Sequence, residues 1–229
     1  MNKYKSITES LISVGKNNRR YYANRGSRPL IALIGSPGSG KSTQARMIVE
    51  AISKRHEVKY INLGEILRKS SDTEIIKIMN EGKLIPDEIV YEYLTEELKN
   101  TSKSFIILDG FFRNEEETDW LIENQKTLDV DVWKVIDIKL NKDEAMKRLS
   151  IRGRADDQPE DIAVRLKVFE AEREGVVRSL KKHKMKLDVV DGFGAVDQVF
   201  GRIGSILDWC CPGYECIDLS LKVKEKVNK

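Results

Sequence analysis

The sequence predicts a three-layer α/β/α fold built on a five-stranded parallel sheet. Short apolar runs alternate with longer stretches of helical periodicity, a pattern that implies parallel pairing with right-handed crossovers. The first apolar run ends at a glycine-rich turn followed by a helical pattern. No run of about 18 apolar residues occurs that could cross a membrane. Leu30–Ile34 is short, apolar and closed by Gly35, so it reads as a buried strand. Ser42–Lys54 places Ala45, Ile48, Val49 and Ile52 on one face, so it reads as a helix. Further strands are expected at Val58–Leu63, Ser104–Leu108, Val132–Leu140 and Lys186–Val190. Helices are expected at Pro86–Lys99, Glu115–Asn124, Lys142–Ile151, Pro159–Lys182 and Ala195–Trp209.

The 229 residues suit one domain with small inserts, large enough to bury a core without staples. Hydrophobic residues make up 40% and charged residues 34%, which argues against disorder over most of the chain. The net charge is +3, yet residues 1–29 carry seven Lys/Arg against Glu9 alone, so the remainder is slightly acidic. A nucleic-acid footprint across the whole chain is therefore not expected. In residues 1–29, Tyr4, Ile7, Leu11 and Val14 fall at helical spacing. The segment reads as a basic extension; its poverty in acids gives it some transit-peptide character, which keeps organellar import as an alternative to a cytoplasmic location. Cys210, Cys211 and Cys216 are the three cysteines, too few and too clustered for a disulfide scaffold. They read as packing thiols in a tail over residues 210–229, with no nearby histidine to complete a metal site.

Gly35-Ser36-Pro37-Gly38-Ser39-Gly40-Lys41-Ser42 fits G-x-x-x-x-G-K-[ST], placed between an expected strand and an expected helix. The spacing has a physical purpose. Glycines let the backbone curl so that successive N–H groups point at phosphate oxygens. The following helix brings its positive dipole end to the same place. Lys41 adds a mobile charge for the β- and γ-phosphates, and the Ser42 hydroxyl can bind Mg²⁺. Such a loop leaves GTPases, ATPases, kinases and sulfotransferases open.

Asp109 closes Ile106-Ile107-Leu108-Asp109, and a carboxylate at the C-terminal end of a strand is placed to order water around Mg²⁺. Five blocks then occur in order: GSPGSGKSTQ at 35–44, LGEILR at 63–68, GKLIPDEIV at 82–90, DGFFR at 109–113 and RLSIRGRADD at 148–157, with Arg165 beyond. Together they resemble the adenylate kinase family of nucleoside monophosphate kinases, over roughly residues 30–209. The residues themselves agree. Arg68, Arg113, Arg148, Arg152, Arg154 and Arg165 lie near expected element ends. Phosphoryl transfer between two nucleotides gathers negative charge, which positioning and electrostatics must offset. Arginine suits that task because its fork grips phosphate and its charge does not titrate. No general base is needed, because a phosphate monoester has a second pKa of about 6.

The resemblance implies roles. ATP would lie on Gly35, Ser36, Pro37, Gly38, Ser39, Gly40, Lys41, Ser42 and Thr43, with Arg148 against the donor base. The acceptor monophosphate would meet Leu63, Gly64, Arg68, Lys83, Leu84, Ile85, Gly110, Arg113 and Glu117, with Arg154 and Arg165 reaching it as well. Lys41, Arg113, Arg152, Arg154 and Arg165 would carry the catalysis. Asp156 and Asp157 would pair with the lid arginines, and Ser42, Asp109 and Glu65 would order water around Mg²⁺. The implied organisation is a kinase domain at 30–209 with an acceptor-binding insert at 62–92 and a short lid at 151–157. That lid has no cysteine, so no zinc is expected.

Four positions depart from the family pattern. Ser42 stands where a glycine is usual and restores the general loop hydroxyl. Leu63 replaces a small residue. Phe112 replaces the proline of D-G-F-P-R, which usually follows a cis bond; a non-proline cis bond costs about 3 kcal/mol, so a differently shaped loop is expected. Glu117 stands where adenylate kinases place a glutamine that reads the adenine edge, and an ionised glutamate can only accept hydrogen bonds. If it reads the base, Glu117→Gln should shift preference toward AMP; otherwise it is a solvated helix residue. Asn114 resembles the pyrimidine-using branch. The expected activity is transfer of the ATP γ-phosphoryl group to a monophosphate, with AMP leading and CMP, UMP or a deoxynucleotide as competitors. A catalytically weak nucleotide sensor is the alternative from another class. A monomer is expected, with no nucleic-acid or membrane partner.

Overall fold

The computed structural model describes residues 27–54, 56–153 and 158–207. The expected N-terminal helix, Arg154, Asp156, Asp157 and the three cysteines lie outside these residues. The described strands are β1 (Arg28–Ile34), β2 (Val58–Asn62), β3 (Phe105–Asp109), β4 (Val130–Lys139) and β5 (Leu187–Asp191). They form one parallel sheet in the order β2-β3-β1-β4-β5. The described helices are α1 (Lys41–Ser53), α2 (Leu63–Arg68), α3 (Thr73–Asn80), α4 (Asp87–Lys99), α5 (Glu115–Asn124), α6 (Lys142–Arg152), α7 (Pro159–Lys182) and α8 (Val196–Ile206). All five expected strands and all six expected helices are present within a few residues of their expected bounds. The exception in kind is Leu63, expected to end β2. It starts α2 instead, because the Asn62 side chain caps that helix by accepting from the Glu65 N–H at 2.9 Å.

β1 shows why the fold has three layers. Its residues are buried in succession, and the strand period of two sends alternate side chains to opposite faces. Leu30, Ala32 and Ile34 join one core with Leu94 of α4, Leu121 of α5 and Val176 of α7. Ile31 and Leu33 join the other with Ile48 of α1 and Phe200 and Ile203 of α8. Each fully buried Leu, Ile or Val side chain among them contributes about 1.5–3 kcal/mol relative to exposure. A smaller cluster of Ala145, Leu149, Ile162 and Leu166 joins α6 to α7.

Two polar ties fix α7. Arg173 grips Asp137 of β4, a carboxylate that is 1% exposed. Lys182, Ser179 and His183 at the end of α7 all bond Asp119 of α5. The hydrogen bond from Lys182, followed by that from Ser179, holds the Asp119 carboxyl down at about 2. No described helix is long and apolar enough to cross a membrane. The strand order reverses at β1, and in open α/β sheets ligands bind where it does, beyond the carboxyl ends of the strands.

Candidate active site

At that edge of the sheet lies a cavity of about 710 Å³. Its floor is the loop between β1 and α1. Gly35 has φ 144°, and a Cβ there would meet the Ile138 carbonyl oxygen at 2.5 Å; Gly38 has φ 80°, and its Cβ would meet the Ala145 carbonyl oxygen at 2.8 Å. Only glycine fits either position. Gln44 N–H bonds the Gly40 carbonyl at 3.0 Å as α1 begins, so the loop runs straight into a helix N-terminus. Lys41 Nζ donates to the Gly35 and Ser36 carbonyls at 2.7 and 2.9 Å, holding its charge over the loop. Ser36 Oγ and Ser39 Oγ are buried with no hydrogen-bond partner among the described residues. Buried hydroxyls are normally satisfied, and of these two Ser39 lines the cavity, where an oxygen-rich ligand would complete its bonding.

Beside the loop, Ser42 Oγ donates to Asp109 Oδ2 at 2.6 Å. Asn62 Nδ2 and Tyr60 Oη reach the same oxygen at 2.8 and 3.1 Å. Burial, followed by the Asp109 charge, pushes the Tyr60 phenol up to about 12, so it stays a donor. A hydroxyl and a carboxylate are hard oxygen donors that fit Mg²⁺ held through water, and Ser42 and Asp109 would hold it. Glu65 does not join them: it is ion-paired with Arg46 and does not line the cavity. Asp119, Glu123 and His183 bring ligand atoms within 4.8 Å of one another elsewhere, but Lys182, Ser179 and His183 already occupy the Asp119 oxygens.

Five of the six singled-out arginines meet at the cavity: Arg68 from the end of α2, Arg113 from the loop before α5, Arg148 and Arg152 from α6, and Arg165 from α7. Arg154 lies outside the described residues. Arg148 is steadied by Glu144 at 2.8 Å and by the Gly192 carbonyl at 3.2 Å. Gly64, Gly110, Lys83, Leu84 and Ile85 line the cavity as well. Neither described histidine lines it.

Three expected acceptor or loop contacts do not reach the cavity. Ser36 is buried and does not line the cavity; Leu63 is fully buried and packs into the core instead. Glu117 is 0% exposed but is neither a base-facing residue nor a solvated one. Its Oε2 accepts from the Arg113 N–H at 2.9 Å, and its Oε1 accepts from Arg113 Nε and Nη2 at 3.0 and 2.7 Å. The expected reshaping of the Phe112 loop takes a definite form. No described peptide bond is cis; Phe112 instead adopts φ 57°, and its ring is buried edge-on against Phe111.

Sequence reasoning missed Asn62, Arg46, Val168, Phe169 and the Gly192–Val199 segment, parts of which line the cavity. The Asn62-x-x-Glu65 spacing is a helix-start signal that could have exposed Asn62. The position after β5, at a strand's carboxyl end, could have exposed the loop at Gly192.

A sequence model described as adenylate kinase matches residues 33–185. The chain belongs to the adenylate kinase family. Its similarity to an adenylate kinase of Mycobacterium ulcerans is 32% identity over 180 residues, 75% of this chain and 95% of that protein. An adenylate kinase of Mycobacterium marinum is equally similar, and one of Mycobacterium tuberculosis is 30% identical over 179 residues. This adenylate kinase family member is thus a nucleoside monophosphate kinase, of a family that uses ATP with Mg²⁺.

Proposed function

We propose that the chain transfers the γ-phosphoryl group of ATP directly and in line to a nucleoside monophosphate, with AMP the leading acceptor. The observation that carries this reading is the meeting of Lys41 with Arg68, Arg113, Arg148, Arg152 and Arg165 around one cavity. ATP lies along the β1–α1 loop, its base toward Arg148 and the Gly192–Val196 strip. The monophosphate lies against Gly64, Arg68, Lys83–Ile85 and Arg113. The migrating group passes between them, where Arg152 and Arg165 offset the charge spread over its three oxygens. Arg154 belongs to the same set. The cavity's residues need take no proton, since the acceptor oxygen is already largely ionised. Ser42 and Asp109 would hold Mg²⁺, which would supply charge screening for the donor phosphates. Closure of the short lid excludes water, which would otherwise compete as acceptor. One copy of the chain supplies every part.

A second reading, CMP, UMP or a deoxynucleotide as preferred acceptor, is favoured by one observation: the Glu117 carboxylate faces Arg113 where a glutamine would read adenine. A coupled assay with ATP·Mg²⁺ against AMP, CMP, UMP, GMP and their deoxy forms tests both. The expected result is turnover with AMP foremost. A pyrimidine ahead of AMP selects the second reading. Binding without turnover of any acceptor, above the Lys41→Ala background, would leave a nucleotide sensor and refute both.

A further inference from the structure

The buried carboxylate of Glu117 makes three hydrogen bonds to a single residue, Arg113, and nothing in the phosphotransfer reading so far uses them. Glu117 cannot easily turn elsewhere. It sits in the first turn of α5, where its own N–H is capped by Asn114 Oδ1 at 2.7 Å. Asn114 is in turn tied to Asp87 at the start of α4 through Nδ2 at 2.9 Å. Tyr91 of α4 stacks on Trp120 of α5 with ring centroids 4.1 Å apart, so both helices are locked to each other around the carboxylate.

The guanidinium spends one edge, Nε and Nη2, on Glu117, while Nη1 takes no part in that clamp and the residue lines the cavity. A long side chain otherwise loses rotamer freedom when it grips a phosphate; a clamped one has lost it already. Phe112 at φ 57° sends the chain into this arrangement immediately before Arg113.

We propose that Glu117 is a positioning residue that pre-orients Arg113 for the acceptor phosphate, and that it takes no part in reading the acceptor base. The proposal rests on the phosphotransfer reading above. Two effects oppose each other when the carboxylate is neutralised. Loss of the clamp loosens Arg113, whereas loss of a negative charge near a dianionic phosphate favours binding. Orientation wins here, because Glu117 is held by the start of α5 and bonds the Arg113 backbone as well as its side chain, so removing it releases the whole residue.

The test is calorimetric binding of AMP, CMP, UMP and GMP to wild type, Glu117→Gln, Arg113→Ala and the double variant, with turnover and thermal melting measured alongside. Glu117→Gln is expected to weaken all four monophosphates by the same factor, about ten- to a hundredfold, the span of one charged hydrogen bond. The KM for ATP should stay unchanged. In Arg113→Ala the same substitution should have no further effect on binding, because it acts through that arginine. A change in the ranking of the bases would overturn the proposal and make Glu117 a base reader. Uniform tightening would overturn it by making Glu117 a competitor for Arg113. A lower melting temperature with unchanged binding would reduce it to a structural pair. Glu117→Asp, one methylene short of the clamp, carries the same expectations if Glu117→Gln does not fold. Wild-type turnover with none of the acceptors would fail the phosphotransfer reading while the binding series still decided Glu117; wild-type binding of none of the four would overturn both.

Discussion

The two sides of the cavity follow their family pattern to different degrees. On the donor side the β1–α1 loop keeps every glycine its geometry requires, and Lys41, Ser42 and Asp109 take the places that phosphate and Mg²⁺ chemistry demand. On the acceptor side Leu63, Phe112 and Glu117 all depart, and each departure is absorbed by burial: Leu63 in the core, Phe112 against Phe111, Glu117 against Arg113. The donor loop is shaped by backbone at Gly35 and Gly38, where only glycine fits. The acceptor side is made of side chains, which can be exchanged if their neighbours are rearranged.

The sharpest way to break this comparison is to remove one charge from each side. Lys41→Ala should lower kcat by about 10²–10³ with every acceptor, since it removes charge stabilisation from the transferred group itself. Arg68→Ala should raise the acceptor KM about tenfold or more and leave the KM for ATP alone. Steady-state kinetics with both substrates varied reads the split. Equal effects of both variants on both substrates would mean the cavity does not divide as described.

The acceptor loop offers a test of its own. Phe112→Pro restores the family's usual residue but not its setting, because proline requires φ near −65° and the chain holds 57° here. With the buried ring lost as well, a destabilisation of about 3 kcal/mol or more is expected in denaturant unfolding. Unchanged stability would show that the loop accepts both shapes and that the departure at Phe112 carries no structural consequence.

These residues also show what was legible beforehand. Strands and long helices were readable because a buried parallel strand is a short apolar run and a packed helix repeats at 3.6, as in Leu30–Ile34 and Pro159–Lys182. The phosphate loop was readable because its glycines answer a backbone constraint. Glu117 was not: its position in the pattern suggested a base contact, but a carboxylate four residues after an arginine on a helix start finds that arginine first. Neither that pairing nor the φ of Phe112 leaves a mark in periodicity or composition.

The smallest expected effect lies away from the cavity, at the tie between α5 and α7. The Asp119 carboxyl is lowered from 3.8 to about 2 by Lys182, Ser179 and His183. A carboxyl depressed on folding stabilises the folded state above its unfolded value and loses that contribution as pH falls toward the folded one. Asp119→Asn should therefore cost less than about 1 kcal/mol at pH 7, as partly exposed pairs do. The difference from wild type should shrink between about pH 4 and pH 2 in acid unfolding. A difference that stays constant across that window would detach Asp119 from the tie.

The central claim is that two nucleotides face each other across Lys41 and the arginines and exchange a phosphoryl group in one displacement. ATP made chiral at its γ-phosphorus with oxygen isotopes tests it most directly. The account predicts inversion of configuration in the product; retention would reveal a phosphorylated side chain between donor and acceptor and contradict it.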